Sequence, residues 1–115
     1  MFENINSQTF FLISIMILSN YTFSISEEAS KNFEAWIKLE ISQSFKEVSY
    51  IIKVKTLKLL TELETDSVNY AVQFYFAEES QVIEFDKNEF SDLLKKVHLL
   101  FTGKYAYFHT VLKEF

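Results

Sequence analysis

The sequence predicts an α+β sandwich, a four-stranded antiparallel sheet carrying two helices on one face. Three observations lead there. The first is the stretch Ser67 to Ala77, in which Val68, Tyr70, Val72, Phe74 and Phe76 alternate with Asn69, Ala71, Gln73, Tyr75 and Ala77. A period of two in residues that are nearly all β-branched or aromatic marks a central strand, which needs a neighbour on each edge. The second is a pair of segments, around Phe33 and around Phe90, whose apolar residues recur at helical spacing. The third is the order of these elements with the remaining strand candidates, β-α-β-β-α-β.

Composition bounds the function. A chain of 115 residues fits one domain. With 49% hydrophobic and 23% charged residues it has enough apolar surface to fold. Thirteen Phe, six Tyr and one Trp exceed what one small core needs, so some rings are expected at an interface. A net charge of -5 and the lack of any arginine argue against nucleic acid, which calls for clustered cations. Without cysteine there is no disulfide, thiolate metal site or cysteine nucleophile, a composition compatible with the expected cytoplasmic location. A single glycine, Gly103, excludes the glycine-rich phosphate loops.

Along the chain, residues 1–15 are expected to form an N-terminal extension and residues 16–115 the single domain. The apolar run Phe10 to Leu18 has no Lys or Arg before it and no small-x-small site after it, which argues against a signal peptide. Its length falls far short of the roughly 20 residues of a membrane span, so it is expected to lead into a first strand, Ile17 to Ile25. Ser26, followed by Glu27 and Glu28, predicts a capped helix start. That helix buries Ala29, Phe33, Trp36, Ile37, Ile41, Phe45 and Val48, with a break near Glu40 to Ser44. Tyr50 to Leu63 reads as the second strand. Its apolar phase switches between Val54 and Leu57, predicting a β-bulge near Thr56. Glu64 to Ser67 is the turn into the central strand. Asp86 to Glu89 fits a capping box with Asp86 as the cap, ahead of a helix with the stripe Phe90, Leu93, Leu94, Val97, Leu100 and Phe101. Gly103 closes that helix, and Lys104 to Glu114 is the fourth strand.

With right-handed crossovers this order makes a ferredoxin-like sandwich, strand order 4-1-3-2. Two helices cover one face only. Tyr75, Ala71 and Ala77 on the other side of the third strand, and Tyr105, Tyr107, Phe108 and Val111 spread over both sides of the fourth, leave the second face apolar. The expected cover is a second copy, sheet against sheet, in a dimeric α+β barrel arrangement.

Several strings carry a family resemblance: Asn20-Tyr21-Thr22-Phe23, Phe33-x-x-Trp36-Ile37, Tyr70 to Ala77, Phe101-x-Gly103-Lys104-Tyr105 and Phe108-x-Thr110. From about Met16 onward the chain resembles the DUF4286 type of bacterial protein, a domain of unknown function. The resemblance implies a ferredoxin-like α+β fold and brings no activity with it. The segment 78–90 departs from the family pattern in lacking a tyrosine-rich helix start with a downstream proline. His109 stands where an Arg is usual.

Candidate chemistry is sparse. His98 and His109 are the only histidines, on a helix and a strand, and their spacing is that of no metal site. His109 with Tyr105 or Tyr107 is the candidate acid–base pair. A hydrophobic pocket lined by Tyr21, Trp36, Tyr75, Tyr107 and Phe108 is the candidate ligand site. No cofactor is expected. The sequence therefore points to a homodimeric, non-enzymatic module that binds a partner or a small hydrophobic ligand through an aromatic sheet face. The alternative, by analogy of fold alone, is a cofactor-independent monooxygenase- or isomerase-like enzyme acting on a small aromatic substrate.

Overall fold

A computed structural model describes residues 16–61 and 66–115. The expected extension, residues 1–15, and residues 62–65 of the expected turn lie outside the described residues. In chain order the elements are β1 (Ile17–Ser26), a single 3-10 turn (Glu27–Ala29), α1 (Ser30–Ser44), β2 (Lys53–Lys58), β3 (Ser67–Phe76), α2 (Glu79–Lys87), α3 (Glu89–Phe101) and β4 (Tyr105–Lys113). The strands form one antiparallel sheet in the order β2-β3-β1-β4, the ferredoxin-like order predicted. All three helices lie on the same face.

Side-chain alternation fixes which face that is. In β1, Ile17, Ser19, Tyr21, Phe23 and Ile25 are buried, and every second residue between them is only partly so. Cross-strand register places Tyr21 opposite Val72 and His109, and Phe23 opposite Tyr70 and Tyr107. Directly opposed residues share a face, so Tyr70, Val72, Phe74 and Phe76 join the helix side. There they meet Phe33 and Ile37 from α1, Val82 and Phe85 from α2, and Phe90, Leu93 and Val97 from α3. Rings do most of the filling. Phe74 packs on Phe85 at 4.5 Å and edge-on to Phe45 at 5.2 Å, while Phe33 packs on Phe23 and Tyr70.

Four local expectations change. β2 is six residues long and pairs one-to-one with β3 from Lys53↔Tyr75 to Lys58↔Tyr70, so there is no bulge at Thr56. Val54, Thr56 and Lys58 keep the helix-side phase and Leu57 points to the open face. A lysine is accommodated in that phase because Lys58 Nζ reaches Glu34 of α1 at 3.0 Å. Glu79–Lys87 is a helix of its own, begun by a capping box between Glu78 and Gln81. Asp86 therefore lies inside α2, and Asn88, without a side-chain cap bond, precedes α3. Ser26 precedes the 3-10 turn but its hydroxyl accepts no cap bond, and Ser30 Oγ donates to the Glu27 carbonyl at 2.8 Å. Leu100, assigned to the stripe of α3, is exposed. Gly103 does end α3, at φ +73°, a left-handed conformation that glycine adopts without strain.

Candidate functional site

The sheet face without helices presents Leu18, Asn20, Thr22 and Ser24 from β1 and Asn69, Ala71, Gln73 and Tyr75 from β3. From the flanking strands come Lys53, Lys55 and Leu57, and Ala106, Phe108, Thr110 and Leu112. Its polar centre is internally satisfied. Asn20 donates to Thr22 Oγ1 at 3.0 Å, Gln73 donates to Asn20 Oδ1 at 3.1 Å, and Tyr75 OH donates to Gln73 Oε1 at 3.4 Å. Lys53 Nζ sits 4.6 Å from the Tyr75 ring centroid, a cation–π contact, so even that lysine lies along the surface. Around this centre apolar groups stand out: Phe108 is 60% exposed, Leu112 50% and Leu57 48%. At one end of the face, Met16, Leu18, Tyr75, Leu112 and Phe115 border a shallow recess of about 420 Å³.

On the opposite face His109 sits in a built cluster. Its Nε2 is 2.7 Å from Ser19 Oγ, the donor depending on the tautomer, and its Nδ1 is 3.8 Å from Asp86 Oδ1. Tyr21 is sandwiched between the His109 ring at 4.3 Å and the Phe90 ring at 3.5 Å, both nearly parallel to it. Its hydroxyl donates to the same Asp86 oxygen at 2.9 Å. Burial pushes the Tyr21 hydroxyl far above its ordinary pKa, with Ser19 opposing and Asp86 adding to the rise. Partial burial, and then the Asp86 carboxylate, also raise Tyr107. The order serine, histidine, aspartate resembles a hydrolytic triad, but Ser19 is fully buried in mid-strand, where no substrate carbonyl can approach its Oγ. The chemistry open to this cluster is proton transfer through the imidazole edge, which is one-quarter exposed.

The five expected pocket residues do not share one pocket. Tyr75 and Phe108 lie on the open face. Tyr21 lies under the helices, Tyr107 is on the same face but partly exposed at the sheet edge, and Trp36 packs between α1 and α3 against Phe33 and Phe101. His109 and Tyr107 do share a face, two residues apart on β4. His98 is separate and exposed, its Nδ1 3.1 Å from the Tyr105 hydroxyl. Among the described residues no three metal-ligating side chains converge, and no helix is long and apolar enough to cross a membrane.

Ser19 was not singled out in the sequence and Asp86 was read only as a helix cap, though both left a signal of their place in this cluster. Ser19 is two residues from Tyr21 and hence on its face. Asp86 is four residues after Val82 and one after Phe85, which puts it at the border of the buried stripe of α2.

The family model for a domain of unknown function, DUF4286, matches residues 16–115. The chain belongs to this family. Solved structures similar to this DUF4286 chain share its fold at low identity. One is a dimeric ferredoxin-like protein from an uncultured marine organism, 8% identical, TM-score 0.60, the match covering 86% of this chain and 94% of that one. Another is a conserved protein from Methanosarcina mazei Go1, 13% identical, TM-score 0.62, covering 92% and 99%. A third, assigned to antibiotic biosynthesis monooxygenases and from Bacillus cereus, is 15% identical, TM-score 0.54, covering 86% and 92%. No curated protein matches the sequence. At these identities the likeness establishes the ferredoxin-like fold alone.

Proposed function

We propose that residues 16–115 form a homodimeric binding module whose two sheets meet open face to open face. The observation that carries this reading is the make-up of that face. Asn20, Thr22, Gln73 and Tyr75 satisfy one another, so covering them leaves few polar groups unpaired, while Leu18, Leu57, Phe108 and Leu112 gain from leaving water. A flat, self-satisfied face with an apolar surround suits a second copy of itself. The dimeric state of one structural neighbour supports the same reading. The recess beside Tyr75, Leu18 and Leu112 would then lie at the seam and admit a small hydrophobic ligand. The test is the solution mass by light scattering over a dilution series. The expected result is a mass at least twice 13.6 kDa that falls when Ala71→Lys places a charge in the middle of the face. A mass unmoved by Ala71→Lys removes this reading.

A second reading rests on the His109 cluster. Ser19 Oγ holds the imidazole through Nε2 at 2.7 Å, Asp86 lies 3.8 Å from Nδ1, and Tyr107 stands next to it on the same strand face. This is an arrangement for acid–base work on a small aromatic substrate. It requires turnover of a phenol or quinone that His109→Ala abolishes and Tyr107→Phe reduces. Equal turnover in both variants and the parent rejects it.

A further inference from the structure

The two edges of the sheet are built differently. β2, at one edge, is six residues long and reads K-V-K-T-L-K, three lysines that discourage any further strand. β4, at the other, is nine residues long and reads Y-A-Y-F-H-T-V-L-K, with its one lysine at the end. Among the described residues it has a strand neighbour on one side only. Its exposed apolar groups also lie on both faces. Phe108 and Leu112 point to the open side, while Tyr107, 39% exposed, and Val111, 49% exposed, point to the helix side. A partner on the open face would leave Tyr107 and Val111 in water. A strand added at the edge covers groups on both faces at once.

We infer that the outer edge of β4 pairs antiparallel with β4 of a second copy, about a twofold axis at His109, to give a continuous eight-stranded sheet. The hydrogen-bond phase fits. The backbone bonds Ser26 N to Lys104 O and Glu114 N to Met16 O bracket the β1–β4 ladder. Even-numbered residues of β4 therefore bond to β1, and Tyr105, Tyr107, His109, Val111 and Lys113 hold their N–H and C=O groups outward. Opposed residues across a sheet must share a face, so a symmetric pair joins odd to odd. The register centred on His109 pairs the full length of the strand. It sets Tyr107 against Val111, Phe108 against Thr110 and, just beyond the strand ends, Lys104 against Glu114. Lys104, which also holds Glu28 at 2.8 Å, thus stands opposite an acidic residue at each end of the joint. The edge axis runs perpendicular to the sheet and the proposed face axis lies in its plane. Used together they close a tetramer of two eight-stranded layers.

The test is mass by light scattering for the full chain and three variants. Val111→Pro removes an outward N–H and no bond to β1, a substitution edge strands tolerate. Val111→Lys places a charge at the same joint without a backbone change. The expected result is a parent near four times 13.6 kDa, halved by either Val111 variant and halved separately by Ala71→Lys on the open face. If neither Val111 variant lowers the mass, the edge inference is wrong, whatever Ala71→Lys does. If the Val111 variants halve it and Ala71→Lys does not, the edge stands and the face reading falls. A parent that is monomeric throughout the dilution series overturns both.

Discussion

The two faces of this one sheet are closed by different physics. On the helix side, Tyr21, Phe23, Phe74 and Phe76 are completely removed from water and pack ring to ring against Phe33, Phe85 and Phe90. On the open side, Asn20, Thr22, Gln73 and Tyr75 bond to one another, and the largest apolar groups stand in water at the β2 and β4 margins. The strand β3 contributes to both, residue by residue, so neighbours in sequence belong to different tasks. Folding stability is concentrated on the first face, and the second is the face proposed for association.

Adjacent substitutions in β3 separate these tasks most sharply. Phe74→Ala is expected to cost about 3–5 kcal/mol in denaturant unfolding, the range for a fully buried phenylalanine. Gln73→Ala, one residue away, is expected to cost below about 1 kcal/mol when measured at a dilution where the chain is monomeric, since water there replaces the hydrogen bonds removed. Comparable losses at the two positions would break the contrast.

The polar contact buried on the helix side gives a smaller effect with a definite order. Asp86→Ala leaves the buried Tyr21 hydroxyl without its acceptor and is expected to cost about 1–3 kcal/mol, against about 0.5–1.5 kcal/mol for Tyr21→Phe, which removes the hydroxyl itself. Finding Tyr21→Phe the more damaging would mean that Asp86 does not satisfy that hydroxyl.

Alkaline titration sharpens the same point. Burial, aided by Glu34 on Tyr70 and by Glu89 on Tyr50, raises both hydroxyls above their ordinary value, as burial does for Tyr21. A group whose folded pKa is raised contributes stability that is intact below its unfolded pKa and is lost as pH climbs towards the folded value. Stability measured by denaturant is therefore expected to begin falling above about pH 10. The fall should be shallower in Tyr70→Phe. A flat profile to pH 11 would show these hydroxyls to be freely ionisable in the fold.

The smallest expected effect is at the β2 edge. Lys55→Val should change stability by less than about 0.5 kcal/mol, as exposed substitutions do. It should, however, increase time-dependent light scattering by leaving that edge unprotected. An unchanged scattering trace would show that the lysines of β2 are not what distinguishes the two edges.

Much of this was legible beforehand. The alternation in Ser67–Phe76 gave the central strand with its faces, and the stripe Phe90, Leu93, Val97 and Phe101 gave α3, because burial follows the period of each element. The bulge at Thr56 was misread for a physical reason. Leu57 in the phase opposite to Val54 was taken for a flip of faces, whereas it stands half exposed on the open face while Lys58, in the helix-side phase, reaches Glu34 of α1. Helix α2 was hidden by its acidic surface, although Glu78 and Gln81 spell its capping box. The His109 cluster was half legible. His109 stood out as one of two histidines, while Ser19 and Asp86, 67 residues apart in sequence, gave no sign of meeting around it.

What the sequence determined by itself was local and periodic: which residues alternate, which repeat at 3.6, and where Gly103 ends a helix. The tertiary structure decided what depends on the pairing of distant segments. It set the straight register of β2, the meeting of Ser19, Asp86 and His109, and the division of the aromatic residues into a closed face and an exposed margin. Periodicity assigns a side chain to a face of its own element. Only cross-strand register and the seating of the helices decide what that face meets.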